Sequence, residues 1–193
     1  MPRISVIGTS GSGKTTLARN LARLHGITHI ELDALNWGPN WTEVGREEFR
    51  RRVGAAVAAD AWVACGNYGA VRDLVMARAD TFVFLDYPMT VVFTRSLCRT
   101  LRRCWTKEEL WNGNRERFLG QFFSSDSLLL WVIRSWRMHR RDYPKRMRQQ
   151  AALGKRVIRF ATPEQTDRWM KQQQSLIGLT PEAKIESEPA VNL

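Results

Sequence analysis

Gly8-Thr9-Ser10-Gly11-Ser12-Gly13-Lys14-Thr15 matches the spacing G-x-x-x-x-G-K-[ST]. A chance match somewhere in 193 residues is about 1% at ordinary residue frequencies, and the flanks narrow it further. Arg3 to Ile7 (RISVI) is a short β-branched run that reads as a buried strand. After the loop, Leu17, Leu21 and Leu24 recur at helical spacing and Gly26 acts as a stop. Glycines at 8, 11 and 13 let successive backbone N–H groups face one point, a nest suited to phosphate oxygens. The helix behind the loop adds the positive end of its dipole. In such a loop Lys14 is expected to bridge the β- and γ-phosphates of ATP, and the Thr15 hydroxyl to hold Mg²⁺. The expected ATP-binding set is Gly8, Thr9, Ser10, Gly11, Ser12, Gly13, Lys14, Thr15 and Thr16.

The rest of the chain repeats the strand–helix rhythm. His29–Leu32 (HIEL), Ala61–Cys65 (AWVAC), Thr81–Leu85 (TFVFL) and Arg156–Phe160 (RVIRF) read as further strands. Glu47–Ala59 reads as a helix with Phe49, Val53 and Val57 on one face, and Val71–Ala79 and Met89–Cys104 as two more. Pro163–Gln173 is a last helix with proline in its first turn. The stretch from Asp33 to Gly45, rich in Trp, Gly, Pro and Asn, reads as a loop. This alternation predicts an α/β protein with a parallel sheet covered by helices on both faces. Residues 1–175 form the expected domain, with a mostly helical interruption from Trp105 to Leu153. Residues 176–193 have no aromatic side chain and no clear period, and are expected to be disordered.

Composition excludes other classes. The longest apolar run, Leu128–Ile133, falls far short of the ~20 residues of a membrane helix. The N-terminus lacks the apolar stretch of a secretory signal. Cys65, Cys98 and Cys104 have no paired spacing, which fits a reducing cytoplasm. His25, His29 and His139 are scattered, read as surface or core residues, and offer no metal set. The net charge is +11, and residues 95–159 hold 17 Lys/Arg against 5 Asp/Glu. The basic character therefore belongs to one segment, which reads either as a solvated face or as a set of anion contacts.

A nucleotide-binding loop needs a second carboxylate near the phosphates. Asp33 lies 19 residues beyond Lys14, at the expected carboxyl end of the second strand, the end that faces the ligand crevice in an open α/β sheet. Glu31 shares that side if the strand continues. A helix or turn cap is the other reading of Asp33. Asp86 closes an apolar strand and has the form of a magnesium-binding acid, yet Asp86-Tyr87-Pro88 also makes an ordinary strand-ending turn. Both readings stand at this point.

GTSGSGKTTLARNLA, HIELDALNWGPNW, GREEF, WVACGNYG and ADTFVFLDYP together resemble the bacterial DNA topology modulation proteins, a group of adenylate-kinase-like P-loop kinases. The resemblance spans about residues 3–170. The wider relatives are nucleoside monophosphate, shikimate and gluconate kinases. It implies a five-stranded sheet of order 2-3-1-4-5, an acceptor region after strand 2, and a mobile arginine-bearing lid after strand 4, about residues 95–153. It also implies phosphoryl transfer from ATP, with Mg²⁺, to a small-molecule acceptor.

Carried over by position, Asp33 is the acceptor-side carboxylate. Asn67, Tyr68 and Arg72 meet the acceptor. Arg95, Arg99, Arg102 and Arg103 lie on the helix that enters the lid, the first three on one face, where guanidinium groups grip phosphate in pairs of bonds. Lys14, Asp33 and Arg99 are the expected catalytic residues, and Thr162-Pro163 the neighbours of the adenine ring. One departure matters: the family pattern D-G-N-Y is Cys65-Gly66-Asn67-Tyr68 here, which removes a carboxylate from strand 3, so that either Asp33 alone serves Mg²⁺ through water or catalysis is impaired. With no adjacent basic group, Cys65 reads as a buried inert thiol. Trp37, Trp41, Trp105, Trp111, Trp131 and Trp136 gather near the acceptor loop and lid, as stacking platforms or as packing, with packing favoured for Trp131 and Trp136. The family name carries a second reading, a nucleotide-dependent DNA-associated protein whose segment 95–159 contacts a phosphate backbone, although no DNA-reading motif is present. Arginines that converge on the phosphate loop favour the kinase; an outward stripe favours the polymer.

Overall fold

The structure is a computed structural model and describes residues 2–114 and 128–178. Five parallel strands form one sheet: β1 (Arg3–Gly8), β2 (Thr28–Glu31), β3 (Trp62–Cys65), β4 (Thr81–Leu85) and β5 (Arg156–Phe160), in the order β2-β3-β1-β4-β5. The helices are α1 (Lys14–His25), α2 (Leu32–Asn36), α3 (Arg46–Ala56), α4 (Arg72–Arg78), α5 (Met89–Thr106), α6 (Leu128–Ala152) and α7 (Pro163–Leu176). Among the described residues, no helix is long and apolar enough to cross a membrane.

The three central strands β3, β1 and β4 are buried on both faces because they are almost continuously apolar, whereas the edge strands β2 and β5 carry polar residues and are partly exposed. On one face Ile7, Trp62, Ala64, Phe82 and Phe84 pack with Phe49, Val53 and Val57 from α3 and its end, and with Val75 from α4. On the other, Ile4, Val6, Val63, Val83 and Leu85 pack with Leu17, Ala18 and Leu21 of α1 and Val92 of α5. Burying a side chain such as Phe82 contributes about 2–3 kcal/mol. The helix α6 serves both layers, giving Val132 to the second cluster and Tyr143 and Met147 to the first.

The expected strand order is the observed one. The second strand, however, stops at Glu31, and the helix Leu32–Asn36 takes up Leu32, expected in the strand, and residues 33–36, expected in the loop. Asp33 therefore sits in the first turn of α2, and the alternation that would align it with Glu31 is broken. Trp37 N–H donates to the Asp33 carbonyl at 3.0 Å and closes this short helix. At the other end of the chain α7 runs to Leu176, past the expected stop at Gln173. Ile177 and Gly178 follow it, and the rest of the expected tail, 179–193, lies outside the described residues.

The loop between β1 and α1 touches α5 closely. Gly11 has φ +81°, and a Cβ there would stand 2.3 Å from the Val92 carbonyl oxygen and 2.4 Å from Ser96 Oγ. Gly13 has φ +86°, but the nearest atom to its Cβ position is an Arg95 nitrogen at 3.9 Å. Gly13→Ala should thus cost only the left-handed backbone strain, about 1–2 kcal/mol. Gly11→Ala should add an overpacking cost of about 1–3 kcal/mol. Urea denaturation of both variants measures the difference, and equal losses would contradict the close approach of α5.

Candidate active site

Gly13 caps α1 in a left-handed conformation without any side-chain hydrogen bond, so the first backbone N–H groups of α1 remain available to an anion. The loop is braced within itself by Ser12 N–H to the Thr9 carbonyl at 3.1 Å. Lys14 stands at the start of α1. Burial lowers its pKa from 10.5, the Asp33 carboxylate pulls it back up, and Arg99 lowers it again. Lys14 therefore stands close enough to Asp33 and to Arg99 to feel the charge of each.

The four arginines expected on the lid helix divide. Arg99 Nη2 donates to Ser10 Oγ at 2.9 Å, in the phosphate loop itself. Arg95 lies over the Tyr87 ring, 5.8 Å from its centroid, beside Gly13. Arg102 instead pairs with Glu108 at 3.1 Å, and Arg103 approaches the same carboxylate at 3.6 Å. Arg102 shares the face of Arg95 and Arg99 but lies ~4.5 Å beyond Arg99 along the helix axis, where the Glu108 carboxylate meets it.

At the start of α2, Tyr68 donates its hydroxyl to Asp33 Oδ1 at 2.6 Å. Burial first, and then the Asp33 charge, raise the Tyr68 pKa, so the phenol stays protonated and holds the carboxylate in place. Asn67 Nδ2 donates to the Gly8 carbonyl at 2.6 Å and ties the β3–α4 loop to the end of β1. Arg72, Asn67, Tyr68 and Tyr143 line one small cavity with Leu32 and Cys65. Ser12 Oγ, Asn67 Oδ1 and Arg72 Nε are buried in this region without a hydrogen-bond partner. Each such group costs about 1–3 kcal/mol, and their clustering suits a polar ligand that would satisfy them together.

Cys65 Sγ lies 3.8 Å from Thr15 Oγ1 and 3.3 Å from His29 Nε2. Burial and the Glu31 carboxylate push its pKa up to about 12, which makes it the inert thiol expected. Asp86 is held by Arg159, whose Nε donates to Oδ2 at 2.9 Å, while Asp86 N–H donates to the Phe160 carbonyl at 2.9 Å. Of its two readings, the geometry gives the strand-ending turn that fastens β4 to β5. Thr162 Oγ1 accepts the Gln165 N–H at 3.4 Å and caps α7, with Pro163 in the first turn. Trp136 packs on the second cluster with Nε1 on the Tyr87 carbonyl at 2.9 Å. Trp105 is exposed, Trp37, Trp41 and Trp111 form an edge-to-face group, and the Trp131 side chain lies outside the described residues.

One residue of the site was not expected from sequence. His139, on α6, is buried with Nδ1 3.5 Å from Thr9 Oγ1 and its ring edge-on to Tyr143 at 4.9 Å. Burial, then Lys14 and Arg72, push its pKa down to about 4 from 6.5. Its only trace in the sequence is its place in the stripe Val132, Ser135, His139, Tyr143, Met147, where it passes for core.

No protein-family model and no curated protein sequence matches this chain. Solved structures do. A shikimate kinase from Bacteroides thetaiotaomicron superposes with a TM-score of 0.55 at 21% identity, covering 92% of this chain and 99% of that one. A shikimate kinase from Acinetobacter baumannii in complex with shikimate gives 0.55 at 19%, covering 92% and 94%. A gluconokinase from Sinorhizobium meliloti 1021 gives 0.51 at 18%, covering 92% and 91%. The likeness establishes the fold, the three-layer αβα arrangement of P-loop kinases with a five-stranded parallel sheet.

The depressed His139 pKa sets a pH dependence. As pH falls below 6.5, the unfolded chain takes up a proton that the folded chain refuses until about pH 4, so stability is lost across that window. The loss attributable to this residue between pH 7 and pH 5 is about 2 kcal/mol. His29, also lowered by burial, acts with the same sign. The comparison of unaltered chain with His139→Gln by urea denaturation at both pH values isolates His139. An equal pH slope in the two would place the imidazole outside this electrostatic cluster.

Proposed function

We propose that this chain is an ATP-dependent phosphotransferase that passes the γ-phosphoryl group of ATP to a small acceptor, in the manner of the nucleoside monophosphate kinase-like enzymes. The observation that carries the reading is the meeting of Lys14, Asp33 and Arg99 at one end of the sheet, around an uncapped α1 N-terminus. The P-loop of the sequence supports it, and so do the kinases that share the fold.

In this reading the loop N–H groups and Lys14 hold the ATP phosphates, and Arg99, already on Ser10, adds a planar guanidinium to the transferring group. Asp33, oriented by Tyr68, accepts the proton of the acceptor hydroxyl. Arg72 and the Asn67 carbonyl oxygen offer one donor and one acceptor to hold that molecule. The oxygens of Thr15 and Asp33 are the hard donors that fit Mg²⁺, whereas the Cys65 thiol beside Thr15 is not. When bound, the ion would neutralise phosphate charge.

A second reading rests on α6. Arg134, Arg137, Arg141, Lys145 and Arg148 are all exposed, and their spacing puts them on one face opposite the buried stripe. An outward basic face of this kind suits a phosphate backbone, so the arginines of the basic segment serve both tests: Arg95 and Arg99 turn to the loop and the α6 residues turn away. Nucleic-acid binding that falls steeply with salt and weakens on replacing Arg137 and Arg141 would support it.

The kinase reading is tested on the loop first. Mg·ATP at 100 times its dissociation constant should stabilise the protein by about 2.7 kcal/mol. Lys14→Ala should abolish most of that shift and leave the ligand-free melting temperature almost unchanged; an unaltered shift would overturn the phosphate-loop assignment. A screen with labelled ATP over nucleoside monophosphates and small hydroxyl metabolites then identifies the acceptor. With it, Asp33→Asn should keep the ATP shift and lose about 10²–10⁴-fold in turnover, while normal turnover per folded molecule would reduce Asp33 to a structural residue. Arg99→Lys keeps the charge but loses the planar fork, and should damage turnover more than ATP affinity.

A further inference from the structure

The segment that leaves α5 is fastened to the loop that follows α2. Two short 3₁₀ turns, Pro39–Trp41 and Trp111–Gly113, lie against each other. The chain reaches the second through Lys107 at φ 51°, and each turn carries an asparagine in the left-handed region, Asn40 at 56° and Asn112 at 55°. Trp41 is also at φ 56°, an uncommon conformation for a bulky side chain, which persists where the surroundings over-determine it.

Asn114 supplies that determination. It is buried, its Oδ1 accepts the Trp41 N–H at 2.7 Å, and its Nδ2 donates to the Gly38 and Trp111 carbonyls, each at 2.8 Å. Beside it Asn112 Nδ2 donates to the Trp37 carbonyl at 2.5 Å. The Trp41 ring meets Trp37 edge-on at 5.6 Å and Trp111 at 6.4 Å, so indoles from both segments form one cluster. An amide with both ends engaged on two separate segments is a rigid link.

The link has a site at each end. The other part of α5 touches the phosphate loop through Arg99 and Ser10, and through Val92 and Ser96 against Gly11. The loop of residues 37–44 leads directly from α2, which carries Asp33, and Trp37 N–H closes that helix on the Asp33 carbonyl. A continuous set of packed elements thus joins Ser10 to Asp33 by way of α5 and Asn114.

We propose that Asn114 is a positioning residue that couples the phosphate loop to the acceptor loop, so that a polyphosphate bound at the first orders residues 37–44 at the second. The inference rests on the nucleotide-binding reading above. It assigns to this chain a cooperative relation between donor and acceptor: each ligand binds more tightly in the presence of the other, by the same factor in both directions.

Hydrogen exchange of the full chain, with and without Mg²⁺ and the non-hydrolysable analogue AMPPNP, tests it. In the unaltered chain the nucleotide should slow exchange in residues 8–16 and, by about tenfold, in residues 37–44. In Asn114→Ala the response at 8–16 should remain and that at 37–44 should vanish. Asn114→Asp keeps the acceptor for Trp41 N–H, loses both donations, and should show a response at 37–44 reduced severalfold. It carries the test where the alanine variant does not fold. No slowing at 8–16 in the unaltered chain removes the nucleotide reading and this inference with it. Slowing at 8–16 without slowing at 37–44, or an undiminished response at 37–44 in a folded variant, overturns the inference alone.

Discussion

The close approach of α5 to the bare backbone at Gly11 is the contact on which the rest of the arrangement depends. A side chain at position 11 would occupy the space of the Val92 carbonyl and the Ser96 hydroxyl, so only glycine lets helix and loop meet at this distance. That distance fixes the height of α5 above the phosphate loop. It puts Arg95 and Arg99 at the loop and carries the next turn, with Arg102 and Arg103, beyond it to Glu108. It also fixes where the chain emerges from α5, and so where Asn112 and Asn114 meet Trp37 and Trp41 in the loop after α2.

The electrostatics of the cleft follow from the same crowding. Lys14 stands near Arg99, His139 feels both Lys14 and Arg72, and Asp33 and Glu31 oppose the charge on Lys14 from α2 and β2. The cost shows in the neighbours that titrate: burial and these cations together keep His139 neutral, and Lys14 holds its own proton less firmly than a solvated lysine would. A cleft in which positive charge and buried unpaired donors are held together is stable only because the surrounding sheet and helices are well packed. A polyanion entering it would relieve the repulsion rather than create it.

Much of this fold is legible in the chain, and the illegible parts have definite causes. The strands of β1 and β4 stand out because RISVI and TFVFL are continuous apolar runs, as strands buried on both faces must be. The end of β2 does not, because Ile30 and Leu32 are both buried and alternate as a longer strand would; only Trp37 closing on the Asp33 carbonyl reveals the helical turn. Asp33 and Tyr68 stand out in the sequence as candidate site residues, but their hydrogen bond does not, since it joins segments that follow two strands neighbouring only in the sheet. The divided fate of the α5 arginines turns on Glu108, which follows the helix at a left-handed turn that no periodicity signals. His139 is hidden for the opposite reason: it keeps perfect register with a buried stripe, and its polar role comes from the loop it happens to face.

Cys65 shows how the same site balances function against cost. A carboxylate in its place would stand among Glu31, Asp33 and the Thr15 hydroxyl on a fully buried strand. Three acidic groups around one lysine would repel one another and lose hydration whenever the cleft held no cation. The thiol stays neutral there, packs among Val63, Val83 and Leu85, and leaves one fewer charge to be balanced. The consequence falls on Asp33, which is held by Tyr68 and tied through Trp37 to the loop of residues 37–44. In the proposed reaction Asp33 must serve both the cation and the acceptor. A residue with two duties gains most from being set in place only when both ligands are present, which is what the link through Asn114 would supply.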